Sequence, residues 1–167
     1  MQIMATITFG GETVELTGQL PEVGQNAPKF TVKDAEGKDV TKEDFAGKTL
    51  FISVVPDIDT SVCSIQSDKV NDWAKGVDDS VAVVTIANNE REALKAWAEA
   101  NDANIPLYND AQEFGEKYGV YMADMDKLAR SIFILDAEGK LAYKQLVAEG
   151  TDEPNYDEAF AAVDDIK

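Results

Sequence analysis

Cys63 is the residue whose side chain is best suited to chemistry, because it is the one cysteine in a chain of 167 residues that contains no histidine. It closes the run at residues 56–63 (PDIDTSVC), which follows an apolar segment. A thiol becomes a strong nucleophile as its thiolate, which a helix amino terminus and a nearby cation stabilise. Since no imidazole is present, Cys-His and Ser-His-Asp catalysis are excluded. Packing as a small buried hydrophobe is the alternative role for Cys63.

Thr60 stands three residues before Cys63, where a dithiol motif would carry its other cysteine. Exchange between two thiols within this motif is therefore impossible. In the first turn of a helix, residues three apart lie on the same side, so the Thr60 hydroxyl can approach the sulfur and an oxygen-containing substrate. A hydroxyl in that place can orient a peroxide. Thr60 can also act as a helix N-cap, and the two roles are compatible.

The pattern around Cys63 predicts that it lies where a strand turns into a helix. Residues 49–55 (TLFISVV) are apolar enough for a central strand covered on both faces, and Pro56 ends that strand. From Val62 onward the apolar positions have helical spacing until Gly76. Cys63 is thus expected in the first turn of this helix.

The rest of the chain alternates strand and helix patterns. Further strands are predicted at residues 6–9 and 13–16 around a Gly-Gly turn, at 29–33, 81–87 and 105–108, and at 131–135 and 141–147 across a turn. Further helices are predicted at residues 89–100, with Asn89 and Glu92 as a capping box, at 112–118, and from 154 through 163. This order predicts an α/β, thioredoxin-like fold with a mixed central sheet, flanking helices and an N-terminal β-hairpin, as a single domain over residues 1–167.

The composition restricts the partners and the compartment. A formal net charge of −17 and a pI near 4.2 disfavour nucleic-acid and anionic-membrane partners, because phosphate groups would be repelled. One cysteine cannot form an internal disulfide, which suits a reducing compartment. The first residues lack a secretory signal pattern, and no apolar run is long enough for a membrane helix, so we expect a soluble cytoplasmic protein. Without histidine or a second cysteine, a tight transition-metal site is not expected.

Pro56, Thr60 and Cys63 reproduce the Pro-x-x-x-Thr-x-x-Cys signature of the peroxiredoxin superfamily. Over nearly the whole chain, the sequence resembles the bacterial thiol peroxidase branch of atypical two-cysteine peroxiredoxins. The segments that carry this resemblance are the Gly-Gly hairpin and residues 45–48 (FAGK), 53–60 (SVVPDIDT), 128–131 (LARS) and 153–156 (EPNY). The resemblance implies a homodimer with active sites near its interface and a peroxidase that uses no metal, haem or flavin cofactor.

The resemblance also implies a role for each site residue. Cys63 would be the peroxidatic cysteine, which attacks the terminal oxygen of a peroxide and becomes a sulfenic acid. Thr60 would hold the peroxide by hydrogen bonding, and Pro56 would shield the sulfur from water. Arg130 would stabilise the thiolate and the developing charge, and the backbone amides of Val62 and Cys63 would complete the pocket.

The sequence context of Arg130 supports a role in the site. The chain has only one other arginine, Arg91, which sits in a charged helical stretch where surface ion pairs are expected. Arg130 instead leads into the apolar residues 132–135. A guanidinium at the edge of a buried strand usually has an anionic partner, and the Cys63 thiolate, the Asp59 carboxylate or another carboxylate can supply it.

Several residues near the expected site have two possible roles each. Gln145, on the facing hairpin strand, either supports Arg130 or is an ordinary exposed strand residue. Trp73 and Trp97 are expected in the core, since apolar residues at helical spacing pack there more often than they line a pocket for long-chain hydroperoxides. The residues that could serve either a dimer face or an apolar substrate rim are Tyr118, Tyr121 and Met122.

The chain departs from the thiol peroxidase pattern in one respect that changes the mechanism. That branch commonly carries a resolving cysteine in the helix predicted at residues 89–100, near Trp97 and Ala98, and this chain has none. The sulfenic acid cannot then close into an internal disulfide. Turnover requires an external thiol, supplied by thioredoxin, another thiol reductant or a second subunit.

These observations together predict a thiol-dependent peroxidase. It would reduce hydrogen peroxide and organic hydroperoxides through a Cys63 sulfenic acid that an external thiol resolves. The alternative from a different class is a thioredoxin-like redox sensor that signals through a mixed disulfide at Cys63. A purely structural Cys63, which peroxide barely touches, is the third possibility.

Overall fold

The structure is a computed structural model that describes residues 5–166. Its strands are β1 (Thr6–Phe9), β2 (Glu12–Glu15), β3 (Thr31–Lys33), β4 (Asp39–Thr41), β5 (Thr49–Val54), β6 (Val81–Ile86), β7 (Leu107–Tyr108), β8 (Tyr121–Met122), β9 (Lys127–Leu128), β10 (Ser131–Leu135) and β11 (Leu141–Leu146). Its helices are α1 (Ser61–Ala74), α2 (Arg91–Ala100), α3 (Gln112–Lys117) and α4 (Tyr156–Ile166), with a 3₁₀-helix at Lys42–Phe45. None of these helices is long and apolar enough to span a membrane.

The central sheet has five strands in the order β11-β10-β5-β6-β7. Strands β5, β6 and β7 are parallel, whereas β10 runs antiparallel to β5 and β11 antiparallel to β10. The predicted mixed sheet and N-terminal hairpin (β1 with β2) are confirmed. In the β5–β10 register, Ser131 pairs with Val54, so β10 begins where β5 ends. This register places Arg130 and Pro56 at the same end of the sheet.

Strand β5 lies at the centre of the sheet and is buried along its whole length, as its mostly apolar sequence predicts. Leu50, Ile52 and Val54 face a core built with the N-terminal hairpin and α3, while Phe51 faces a second core under α1 and α4. In that second core, Trp73 stacks on Phe160, with 4.3 Å between the ring centroids. The expectation that Trp73 packs in the core is thereby confirmed.

The short elements were the ones that the sequence pattern missed. Strand β4, the 3₁₀-helix and strands β8 and β9 had no periodicity long enough to detect, since each of these elements spans two to four residues. Tyr118 and Met122 are fully buried, and Tyr121 is nearly so. These three side chains therefore belong to the core, and a role at a dimer face or a substrate rim is wrong for them.

The N-terminal hairpin is held to the body of the protein by the half-buried Glu149 carboxylate, which follows β11. This carboxylate accepts hydrogen bonds from the backbone amides of Gly10 and Gly11, at 3.2 and 2.8 Å, and from the Thr8 hydroxyl at 3.0 Å. The hydroxyl and the amide of Thr151 donate to it as well, each at 2.6 Å. Led by the Thr151 hydroxyl, the donors of Thr151, Gly11 and Gly10 lower the pKa of Glu149 to about 2.

A pH dependence of stability follows from this carboxylate. Because the folded-state pKa is lower than the ordinary value, the stabilisation is fully present above the ordinary pKa of 4.5 and is lost as the pH falls toward about 2. We expect Glu149→Gln to lower the free energy of unfolding near neutral pH, and its difference from the wild type to shrink on acidification. Denaturant titration at a series of pH values measures this difference, with the exposed Glu12→Gln as control. A difference that does not change between pH 6 and pH 2 would contradict the role of Glu149.

Candidate active site

Cys63 is the third residue of α1 and lies in its first turn, as the sequence pattern predicted. Pro56 is buried at the end of β5, and residues 57–60 form the loop that leads into the helix. Thr60 occupies the N-cap position with an extended backbone, at φ −87° and ψ 154°. The strand, the loop and the helix therefore fix where the sulfur lies.

The Thr60 side chain does not act as the helix cap. Its hydroxyl donates to the Asp57 carbonyl at 2.9 Å, and the Thr60 amide donates to the same carbonyl at 3.0 Å. Because the hydroxyl proton is used in this bond, the Thr60 oxygen is left as an acceptor. Within residues 5–166, no acceptor is found for the backbone amides of Val62 and Cys63, as expected at the start of a helix. The turn thus presents free amide donors together with one hydroxyl acceptor.

The Cys63 sulfur accepts a hydrogen bond from the backbone amide of Asp57, at 3.3 Å. A hydrogen bond to the charged form of a group favours that form, so this amide stabilises a thiolate. Sequence analysis missed this donor, since every residue except proline has a backbone N–H and its direction cannot be read from residue type.

The sulfur is also fully buried. The residues packed in its cluster are Val55, Ile58, Ala87, Leu94, Trp97 and Leu107. Burial among apolar groups matches the packing role considered for this residue. The hydrogen bond from the Asp57 backbone N–H to the sulfur, however, is not required of a cysteine that only packs. Cys63 therefore combines an apolar shell with a directed polar contact.

Arg130 is buried, with 2% of its surface exposed, and its contacts are all to neutral groups. Its Nε and Nη2 donate to the Gly150 carbonyl at 3.1 and 2.9 Å, and its Nη1 donates to Gln66 Oε1 at 3.0 Å. Among the described residues, no carboxylate lies within ion-pair distance of the guanidinium, so Asp59 is not its partner. The charge of Arg130 acts on the Glu153 carboxylate without a direct ion pair, and a buried cation of this kind favours an anion close to it.

Gln66 is the residue that connects Arg130 to the rest of the site, and sequence analysis missed it. It is fully buried one turn after Cys63 on α1, and its amide nitrogen donates to Ser53 Oγ at 2.9 Å and to the Val54 carbonyl at 3.3 Å. Its oxygen accepts from Arg130. A detectable signal was present, because a glutamine three residues after the nucleophile lies on the same helical face.

A polar rim made by α1 and the start of α4 lies beside these groups. The Tyr156 hydroxyl donates to Glu153 at 2.9 Å, and Lys69 pairs with Glu153 at 3.3 Å while lying 4.7 Å from the centre of the Tyr156 ring. Burial, followed by the bond to Glu153, raises the pKa of Tyr156. The charges of both Arg130 and Cys63 also act on this phenol.

Among the described residues, Gln145 makes no hydrogen bond with Arg130. Its amide nitrogen donates to the Tyr143 hydroxyl at 2.7 Å and to the Asn155 carbonyl at 3.1 Å, and its oxygen accepts from the Asn155 amide at 2.6 Å. These bonds brace the segment that enters α4. The hydrogen bonds of Gln145 therefore support that segment, and the direct support of Arg130 comes from Gln66 instead.

The predicted capping box at α2 is wrong. The helix begins at Arg91, with Glu90 at the N-cap position and no side-chain cap. The Asn89 side chain instead binds the loop before Cys63. Its oxygen accepts a hydrogen bond from the Ile58 amide and its nitrogen donates one to the Asp57 carboxylate, both at 2.9 Å. Tertiary hydrogen bonds have displaced the local one that the sequence spacing suggested.

Helix α2 packs against the first turn of α1. The Trp97 indole donates to Ser64 Oγ at 2.9 Å, and its ring belongs to the same apolar cluster as Cys63. Trp97 is 8% exposed, which confirms its placement in the core. In this chain a tryptophan thus lies beside the nucleophile, near the position where the thiol peroxidase pattern carries a resolving cysteine.

Comparisons with known proteins agree with this architecture. The family model described as Redoxin matches residues 22–160. The thiol peroxidase of Listeria innocua is 43% identical over 162 residues, which cover 95% of this chain and 98% of that protein. The thiol peroxidase of Staphylococcus aureus (strain MRSA252) is 44% identical over 166 residues, which cover 98% and 100%.

Solved structures show the same fold. A peroxiredoxin-like protein from Aquifex aeolicus superposes with a TM-score of 0.89 at 32% identity, covering 100% of both chains. A thiol peroxidase from Chromobacterium violaceum superposes with a TM-score of 0.84 at 18% identity, covering 99% of this chain and 96% of that one. The predicted thioredoxin-like fold is confirmed by these neighbours.

Proposed function

Because the chain belongs to the Redoxin family and is a peroxiredoxin of the thiol peroxidase type, we propose that it reduces hydrogen peroxide and organic hydroperoxides through a sulfenic acid on Cys63. Thiol-dependent peroxidase activity follows from the family itself. The assignment to Cys63 is carried by one observation, which is the sulfur in the first turn of α1 accepting the Asp57 amide. Arg130, buried without a carboxylate partner in the described part of the chain, supports it.

In the first step, the Cys63 thiolate attacks the terminal oxygen of the peroxide. A sulfur–oxygen bond forms as the oxygen–oxygen bond breaks, and the other oxygen leaves as hydroxide or alkoxide and takes up a proton. The sulfur loses two electrons to the peroxide and becomes a sulfenic acid.

The surrounding groups divide the work of stabilising this step. The Thr60 oxygen accepts the hydrogen bond of the peroxide O–H, since its own proton is donated to the Asp57 carbonyl. The free amides of Val62 and Cys63 and the guanidinium of Arg130 stabilise the negative charge that develops on the oxygens. Pro56, which is buried over the loop, excludes water from the sulfur.

The second step uses a thiol from outside the chain. That thiol attacks the sulfenic sulfur, water leaves, and the resulting mixed disulfide is opened by another thiol to return the Cys63 thiolate. Thioredoxin or another thiol reductant fills this role, because the chain has no second cysteine. We further propose that the protein works in the cytoplasm as a homodimer whose active sites lie near the interface.

The experiment that tests this function follows the oxidised product. After one equivalent of peroxide, mass spectrometry should find the mass of one added oxygen, and a non-reducing gel should show no disulfide. A supplied dithiol or a thioredoxin system should then restore the thiol and support repeated turnover. Oxidation without recycling, coupled to stoichiometric capture of one partner thiol, would instead support the redox sensor.

A substitution at Thr60 tests how the peroxide is oriented. We expect Thr60→Val, which removes the hydroxyl at nearly constant volume, to slow oxidation of Cys63 by about 2- to 10-fold, because a hydrogen bond between neutral groups contributes about 0.5–1.5 kcal/mol. Thr60→Ser keeps the hydroxyl and serves as the matched control. Stopped-flow tryptophan fluorescence follows the reaction, since Trp97 lies in the Cys63 cluster. A Thr60→Val protein as fast as the control would rule out this role.

A further inference from the structure

Asp57 is the centre of a polar network that joins three parts of the fold. Its carboxylate accepts hydrogen bonds from Asn89 Nδ2 at 2.9 Å, from Lys127 Nζ at 2.9 Å and from the Asp59 amide at 3.0 Å. Asn89 lies before α2 and Lys127 lies on β9, so both partners come from segments distant in sequence. The same residue, through its backbone amide, donates to the Cys63 sulfur.

Asn89 fixes the path of the loop at two points. Its oxygen accepts from the Ile58 amide while its nitrogen donates to the Asp57 carboxylate, so a single side-chain orientation satisfies two adjacent loop residues. Its neighbour Asn88 points elsewhere, with bonds to Asp126 and to the Ala111 amide. Of the two adjacent asparagines, Asn89 therefore bonds to the loop at residues 57–60, whereas the bonds of Asn88 go to other segments.

Lys127 supplies the positive charge that pairs with the Asp57 carboxylate in this network. A carboxylate close to a thiolate opposes its formation by like-charge repulsion, and a cation paired with that carboxylate offsets the repulsion. Burial works against ionisation of Asp57, but the bonds from Asn89 and Lys127 outweigh it and lower the pKa of the carboxyl. The Asp57 carboxyl therefore ionises more readily than an ordinary one, and its charge is compensated by Lys127.

We propose that Asn89 and Lys127 are positioning residues of the peroxidase, which aim the Asp57 amide at the Cys63 sulfur and compensate the Asp57 carboxylate beside it. This inference rests on the function proposed above. Neither side chain touches the reacting atoms. Both act through Asp57, whose backbone amide donates to that sulfur.

The first test compares the two adjacent asparagines. Asn89→Ala should slow the oxidation of Cys63 by hydrogen peroxide about tenfold, because the loss of two loop bonds releases the amide from the sulfur. The ultraviolet absorbance of the thiolate at neutral pH should fall in the same variant. Asn88→Ala, the matched control, should change both readouts by less than about twofold.

The second test removes the cation. Lys127→Met should slow oxidation about threefold and move its pH profile to higher pH, an effect limited by the partial exposure of this ion pair. Lys127→Arg should restore the wild-type profile. In an Asp57→Asn background, Lys127→Met should have no further effect, because the charge that it compensates is gone. Lys127→Met also provides an independent readout if Asn89→Ala folds poorly.

The outcomes separate this proposal from the function on which it rests. A wild-type protein that oxidises rapidly, with Asn89→Ala and Lys127→Met both matching it in rate, thiolate absorbance and pH profile, would overturn the positioning role and leave the peroxidase intact. A wild-type protein that reacts no faster than free cysteine would overturn both.

Discussion

We expect the replacement of Cys63 by serine to abolish peroxide reduction. We expect thiol-dependent peroxide consumption to fall by at least about 10³-fold, to the level of the uncatalysed reaction, because a hydroxyl cannot replace the thiolate as nucleophile. Serine is nearly isosteric, and its oxygen can still accept from the Asp57 amide, so the fold should be retained. Steady-state peroxide consumption with a supplied thiol measures the loss.

Ser64→Ala is the control for this variant, because it changes the adjacent residue and removes only the acceptor of the Trp97 indole. Its activity should stay within about tenfold of the wild type, since one neutral hydrogen bond contributes about 1 kcal/mol. Circular dichroism should find both variants folded. Peroxidase turnover that survives in folded Cys63→Ser would contradict the assignment of the nucleophile.

The second large effect is expected at Arg130. Arg130→Ala should slow Cys63 oxidation by about 10²- to 10³-fold, because the cation proposed to stabilise the developing charge is lost. It should also lower the free energy of unfolding by about 3 kcal/mol, since Gln66 Oε1 and the Gly150 carbonyl lose their buried donor. Stopped-flow oxidation and denaturant unfolding report the two effects separately.

Two further variants separate charge from stability. Arg130→Lys keeps the positive charge but not the planar fork that reaches Gly150 and Gln66 together, so it should recover only part of the rate. Arg91→Ala removes the other arginine, which lies at the start of α2, and should leave oxidation unchanged. If Arg130→Ala were destabilised but oxidised as fast as the wild type, Arg130 would be a structural residue alone.

The elements that carry Cys63 could be predicted from the sequence, because their signals are long and local. Strand β5 is a continuous apolar run ended by Pro56, and α1 has regular apolar spacing. Those two elements meet at the loop that holds the nucleophile. Arg130 could also be singled out, since an arginine followed by buried strand residues is chemically unusual.

The groups that complete the site could not be predicted in the same way. The Asp57 amide is a backbone donor, and its direction depends on the loop conformation. Asn89 gave a local signal, the capping box, that was overridden by bonds to a loop more than 30 residues away in sequence. Gln66 bonds to Arg130, and Lys127 bonds to Asp57, and each of these partners is more than 60 residues away in sequence. Such pairs depend on strand register and packing. Sequence patterns report local structure, whereas these contacts are set by the tertiary fold.

The measurement that tests the central claim most directly is the second-order rate constant for oxidation of reduced wild-type protein by hydrogen peroxide, compared with free cysteine under the same conditions. Stopped-flow tryptophan fluorescence gives the rate, and mass spectrometry locates the added oxygen. If the surrounding groups stabilise the thiolate and the developing charge, Cys63 should react at least about 10³-fold faster than free cysteine. A rate no greater than that of free cysteine would contradict the account and leave Cys63 as a packing residue.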